Sequence, residues 1–141
     1  MSSTATLSLA ARALEAFNTA DWDTFRDLAH EDVVYVESGT GRRIEGIEAY
    51  LEALREWKVA LPDVHGTIRR VVAEGDLAVQ DILWRGTHQG PLPTPSGPIP
   101  ATGVEAAITG SLWVTSRDGK VAEIEHHLDV LSLLAQLGGL G

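Results

Sequence analysis

Between Gly119 and Leu131 the chain carries Glu123, Glu125, His127 and Asp129 at every second position. In a strand that spacing puts all four on one face with Val121, and leaves Ala122, Ile124, His126 and Leu128 on the other. A carboxylate and an imidazole two residues apart on one strand face lie roughly 6–7 Å from each other, close enough to hold one small molecule between them. The chemistry this allows is proton transfer at carbon: Asp129 as base, His127 as the second acid/base group. An ordinary aspartate, with a pKa near 3.9, is too weak a base for that. Burial beside Leu128, Leu131 and Leu134 would have to raise it by roughly one to three units, and His127 would have to stay mostly neutral, since an imidazolium pulls the carboxylate down again. Asp129 has a second reading, as the N-cap of the apolar run Val130, Leu131, Leu133, Leu134, Leu137 that Gly138 and Gly139 close.

Other candidates lie upstream. Parity along residues 77–89 collects Gln80, Ile82, Trp84, Gly86 and His88 on one side, which reads as a pocket wall with Trp84 and His88 as substrate contacts. His88 reads equally as a strand-end histidine bonded to a loop. Tyr35, Trp57 and Trp113 are either core or aromatic lining for a flat ligand. For His126 and His127 the alternative is one packed ring and one solvated ring. No metal is expected, because the chain has no cysteine and no His-x-His or His-Glu-x-x-His, and neighbouring strand residues face opposite ways. Gly86–Gly90 is no phosphate loop, lacking the Gly-Lys-Ser/Thr ending and a following helix.

These side chains must be positioned by elements, and the sequence marks them. Leu7, Ala10, Leu14 and Phe17 predict an amphipathic helix over residues 5–19, and Asp21 caps a shorter one from Trp22 to Ala29. Val33–Val36 reads as a strand ending in the turn 37–41. From Gly46, the spacing of Ile47, Tyr50, Leu51, Leu54 and Trp57 predicts a third helix, stopped by Pro62. Strands follow at 64–73, 77–89, 104–116 and 121–129, with turns at Glu74-Gly75-Asp76 and Asp118-Gly119. Residues 90–103, rich in proline and glycine, form a stiff loop that either rims the pocket mouth or packs on a partner subunit. Helices before strands give an α+β architecture, a curved antiparallel sheet wrapped around the N-terminal helices with a cavity between them.

A chain of 141 residues is read as one domain over residues 1–141. The net charge of −9 and the absence of a basic cluster larger than two arginines argue against nucleic acid and membrane surfaces as partners. With no signal-like N-terminus and no apolar run of roughly 18 residues, the expected location is the cytoplasm.

The segments Trp84-Arg-Gly-Thr-His-Gln-Gly90, Pro98–Gly103, Asp118-Gly-Lys-Val and Asp129 followed by Leu133-Leu-Ala-Gln-Leu-Gly138 resemble the SnoaL-like polyketide cyclase and ester cyclase family of the NTF2-like superfamily. Phe17-Asn18, Asp21-Trp22, Phe25 and Gly46–Tyr50 fit the superfamily pattern as well. The resemblance implies a cone-shaped half-barrel, a homodimer or homotetramer formed through the outer sheet face, and intramolecular aldol ring closure on a polyketide-like or other small hydrophobic substrate without cofactor. It carries the acid/base role to Asp129. Where many relatives hold an aromatic pair before that aspartate, this chain has His127-Leu128, and Glu125 replaces a common Trp or Arg. Two other functions suit the same scaffold. One is epoxide opening by an Asp–Arg–Asp arrangement, for which Asp81 and Arg85 sit on the face opposite Trp84 and His88. The other is a non-catalytic binding or dimerisation module.

Overall fold

The computed structural model describes residues 1–139. The chain runs α1 (Ser3–Asn18), α2 (Trp22–Leu28), β1 (Ala29–Glu37), β2 (Arg42–Glu45), α3 (Ile47–Ala60), β3 (His65–Glu74), β4 (Leu77–Thr87), β5 (Glu105–Arg117), β6 (Lys120–Leu128) and α4 (Val130–Gln136). Local chemistry sets the boundaries. The side chains of Ser2 and Asp21 accept from the backbone N–H of Ala5 and Thr24 and so start α1 and α2. Asp118 and Gly119, at φ 53° and 77°, make the two-residue hairpin between β5 and β6, the conformation an Asp-Gly pair is suited to.

The strands form one sheet in the order β2-β1-β6-β5-β4-β3. Its two edges, β2 and β3, do not meet, so the curved sheet is a half-barrel rather than a closed one. Neighbours are antiparallel except β1 and β6, which run parallel. An all-antiparallel sheet was expected; the parallel pair arises because β1 lies beside a strand whose paired residues, such as Tyr35 and Ile124, are 89 positions downstream, a non-local pairing that no turn motif announces. The strand β2 is also new relative to expectation: Arg42-Arg-Ile-Glu45 is four residues long and three of them are charged, as suits an edge.

The helices α1, α2 and α3 lie against the concave side. Leu9, Ala13, Leu14 and Phe17 of α1 and Ile47, Tyr50, Leu51 and Leu54 of α3 are buried there. These helices share one core with Ala78 of β4, Ala106, Ile108 and Val114 of β5, and Ile124 and Leu128 of β6, the alternate residues that the pleat turns inward. The short α4 closes one end. Leu133 and Leu137 are buried, and the Gln136 carboxamide accepts from Ala107 N–H and donates to Ala107 C=O, both at 2.9 Å, completing the ladder of β5 beyond the end of β6. No helix among the described residues is long and apolar enough to cross a membrane.

Candidate functional site

Between the helices and the sheet is a cavity with about 90 Å³ of space open to the centre of a water molecule. One water needs about 10–15 Å³ on this measure, so there is room for a small organic guest. The wall is almost wholly apolar: Leu14, Phe17, Leu54, Ile108 and Leu128 are typical. Of the aromatic residues singled out from the sequence, Tyr35, Trp57 and Trp84 line it, and so do Tyr50, Gln80 and His126. Rings stack into one another along the wall: Tyr35 on Tyr50 at 4.9 Å, the edge of Phe17 on Trp84 at 5.6 Å, and Trp84 against His126 at 5.8 Å between centroids.

The polar centre of this wall joins β1 to β6. Their parallel register sets Glu37 beside His126, with Tyr35 two residues back on the same face. The Tyr35 hydroxyl donates to Oε2 of Glu37 at 2.5 Å and lies 2.8 Å from Nδ1 of His126. Thr40 Oγ1 donates to the other Glu37 oxygen at 2.8 Å. All three partners of this chain are buried, Glu37 to 3% exposure. A hydroxyl has one proton; with it given to Glu37, Tyr35 can only accept from the histidine, which therefore carries its own proton on Nδ1. Burial, and secondarily the charge of neighbouring His127, pushes the His126 pKa down to about 3, so the ring is neutral at ordinary pH. The Nε2 atom is then an imidazole lone pair, and it has neither a hydrogen-bond partner among the described residues nor contact with solvent. Burial likewise pushes the Tyr35 and Tyr50 hydroxyls up, so both stay protonated. The arrangement is a base whose tautomer is fixed by a hydroxyl, itself held by a carboxylate.

The acid/base residues read from the sequence are elsewhere. Asp129 is exposed, and its Oδ1 accepts from Ser132 N–H at 3.1 Å: it is the N-cap of α4, not a carboxylate in a dry hollow. His127 is exposed on the convex face, with Nδ1 2.9 Å from Ser38 Oγ and Nε2 3.4 Å from Glu125. The two do share a shallow depression, as their parity requires, but it opens on the outer surface. The physical reason is the alternation itself, since the face richer in ionisable groups is the one the sheet leaves in water. Trp113 is outside for the same reason, 38% exposed with its edge on the His127 ring.

His88 is fully buried yet not in the cavity wall. Its Nδ1 accepts from Thr102 N–H at 3.3 Å and lies 2.9 Å from Thr102 Oγ1, and its backbone bonds Val104 and Gly103, so it pins the returning end of loop 88–104. That loop is tied across by the pair Leu92 and Ile99, with Leu92 buried. The carboxylate of Asp81 is held by Arg69 and Arg70 on the outer face at 2.8 and 3.0 Å, while Arg85 is exposed; among the described residues Asp81 and Arg85 form no Asp–Arg–Asp arrangement. Among the described residues no group of three or more His, Asp or Glu could hold a metal ion. Glu37 was missed because it follows Val33-Val-Tyr-Val36 as the first residue of an apparent turn, although its parity with Val33 and Tyr35 already places it inward.

A family model described as SnoaL-like polyketide cyclase matches residues 8–137. Among solved structures, IdmH of Streptomyces antibioticus, described as a polyketide cyclase, is 29% identical, with a TM-score of 0.79 over 94% of this chain and 98% of that one. TsrD of Streptomyces laurentii is 26% identical, with a TM-score of 0.83 over 98% of each. A protein of Jannaschia sp. CCS1 named for the same family shares the fold at 20% identity and a TM-score of 0.85, over 96% of this chain and 92% of its own. No curated protein matches the sequence.

Proposed function

The chain belongs to the SnoaL-like polyketide cyclase family, with that family's NTF2-like α+β half-barrel, and from this premise we propose that it is a cofactor-independent cyclase in which His126 is the acid/base group. The substrate is a small, hydrophobic, polyketide-like molecule and the reaction an intramolecular aldol closure. The observation that carries the reading is the unpartnered Nε2 of a neutral histidine in the wall of an apolar cavity, backed by Tyr35 and Glu37.

The steps follow from that geometry. Nε2 takes a proton from the carbon α to a carbonyl, and the enolate carbon attacks a second carbonyl carbon of the same molecule, forming the C–C bond. The new alkoxide then recovers the proton from the imidazolium, so substrate and product are isomers. By itself the ring, at about 3, is no stronger a base than a free aspartate, and only negative charge developing on the substrate lifts it into range, because the imidazolium is a poor resident of a dry wall. It becomes tolerable only while an enolate or alkoxide lies against it and while Nδ1–H, Tyr35 and the Glu37 carboxylate spread its charge. Exclusion of water keeps the enolate from being quenched before it closes the ring. Tyr35 and Glu37 do not touch the substrate in this scheme; they are positioning residues.

Deuterium uptake by 2-tetralone, a neutral bicyclic ketone with acidic α-protons, tests the assignment without knowledge of the natural substrate. The protein should accelerate exchange in D₂O, and His126→Gln should reduce that rate by roughly 10²–10⁴-fold with the fold intact. Equal rates for the two proteins would end the assignment. The reading includes a homodimer packed through the convex sheet face, supported by Val72 and Trp113, exposed on either side of Val79 in one cross-strand row. Light scattering at micromolar concentration checks it.

A further inference from the structure

A single row of inward-facing residues crosses four strands. Gln80 of β4 pairs with Leu112 of β5, Leu112 with His126 of β6, and His126 with Glu37 of β1. Of its three polar members, Gln80 alone has no role in proton transfer. Gln80 is 1% exposed, and neither its carboxamide oxygen nor its nitrogen has a partner among the described residues. The indole Nε1 of Trp84, four residues along the same face of β4, is buried and unpartnered too. Each such group forfeits its hydration with nothing in return, and a leucine or methionine at position 80 would make the same wall without that cost. Both residues belong to the cavity wall.

We infer that Gln80, with Trp84 as a second donor, recognises a hydroxyl group of the ligand; Gln80 stands at the end remote from the carbon that faces His126, whereas the Trp84 ring lies between, 5.8 Å from that imidazole. The donor inventory selects the group. Trp84 Nε1–H only donates, while the Gln80 carboxamide donates from Nε2 and accepts at Oε1. A phenolic or enolic hydroxyl satisfies both, accepting from an N–H and donating to Oε1; a bare carbonyl leaves Oε1 empty, and a carboxylate finds no cation in the wall except the exposed Arg85. The torsions of a glutamine side chain let the amide turn toward a guest. Strands in a sheet are about 4.8 Å apart, so two steps from β4 to β6 separate Gln80 from His126 by about 10 Å, the span of two fused rings. The ligand class is therefore a neutral hydroxylated bicyclic or larger aromatic ketone, with its hydroxyl across the ring system from its acidic C–H. The orientation rests on His126 being the base; the hydroxyl site does not.

Calorimetric titration with 2-acetyl-6-hydroxynaphthalene and with 2-acetylnaphthalene tests this. The protein should bind the hydroxylated probe about tenfold more tightly, the worth of one or two neutral hydrogen bonds made to otherwise empty partners. Gln80→Met should bring the two affinities within about twofold of each other while leaving that of 2-acetylnaphthalene in place and raising the thermal midpoint. Trp84→Phe should lose a smaller part of the preference. His126→Gln should keep the preference in full, so that failure of the catalytic reading and failure of this one give different results. Equal binding of the two probes, binding of neither, a preference that survives Gln80→Met, or a Gln80→Met protein that does not fold would each overturn the inference.

Discussion

The Tyr35 hydroxyl stands 2.8 Å from Nδ1 of His126 across 91 residues of chain, with its own proton committed to Glu37. That one contact decides which imidazole nitrogen is free. Long-range proton–nitrogen NMR at neutral pH should therefore show His126 as a single neutral tautomer, protonated on Nδ1. In Tyr35→Phe the Nδ1–H loses its acceptor and Glu37 one of its donors, and the two tautomers should mix. The same change should cost about 1–3 kcal/mol of stability, read from urea unfolding, because it strands buried polar groups. A His126 ring already protonated on Nε2 would contradict the hydrogen-bond assignment.

The buried imidazole also makes stability depend on pH in a definite direction. Burial, with a smaller contribution from His127, holds His126 at about 3 in the folded chain, whereas an unfolded histidine takes up its proton near 6.5. Between those values the unfolded chain binds more protons. The stabilisation from keeping the ring neutral is complete above about pH 6.5 and is lost as pH falls toward 3, at up to about 1.4 kcal/mol per pH unit. Unfolding free energies at pH 7, 5.5 and 4.5 should fall more steeply for the native chain than for His126→Phe. Parallel slopes would mean that the ring is not buried neutral.

Much of this architecture is legible along the chain, because hairpins and amphipathic helices are local. Asp118-Gly119, Asp21 and the Ile47-Tyr50-Leu51-Leu54 stripe each announce their element, and parity divides β6 correctly into a Glu125/His127 face and an Ile124/His126/Leu128 face. The site is less legible, since its members meet only through the parallel pairing of β1 with β6, which no nearby residue encodes. Choosing the face with more ionisable groups leads to Asp129 and His127, which stand in water. The informative signal is the reverse: a lone polar residue inside an otherwise apolar alternation, as His126 is between Ile124 and Leu128, Gln80 between Ala78 and Ile82, and Glu37 after Val33 and Tyr35.

Asp129 offers a direct contrast. Its carboxylate is a helix cap, so Asp129→Asn should leave both stability and tetralone exchange within about twofold of the native protein, asparagine being as good a cap. Asp129→Ala removes the acceptor for Ser132 N–H and should cost about 1 kcal/mol in chemical denaturation, again with exchange retained. Loss of exchange in a folded Asp129→Asn protein would return the acid/base role to the aspartate.

Gly66 governs the shape of the cavity from the far strand. It pairs with Trp84, and a β-carbon placed on it would stand 2.6 Å from Cζ3 and 2.9 Å from Cε3 of the indole, so the ring uses the missing side chain as its seat. The strand is held in place because Asn18 pairs with both backbone groups of Gly66 on its outer edge: its Oδ1 accepts the glycine N–H and its Nδ2 donates to the glycine C=O, each at 2.9 Å. In Gly66→Ala the indole must therefore give way, off its contact with Phe17 and into the space a ligand would fill. Overpacking of this kind costs about 1–3 kcal/mol. The tryptophan emission should shift, and affinity for 2-acetylnaphthalene should fall about tenfold or more, a loss of about 1.4 kcal/mol or more. A Gly66→Ala protein with native emission and undiminished affinity would show that the Trp84 ring does not form that wall.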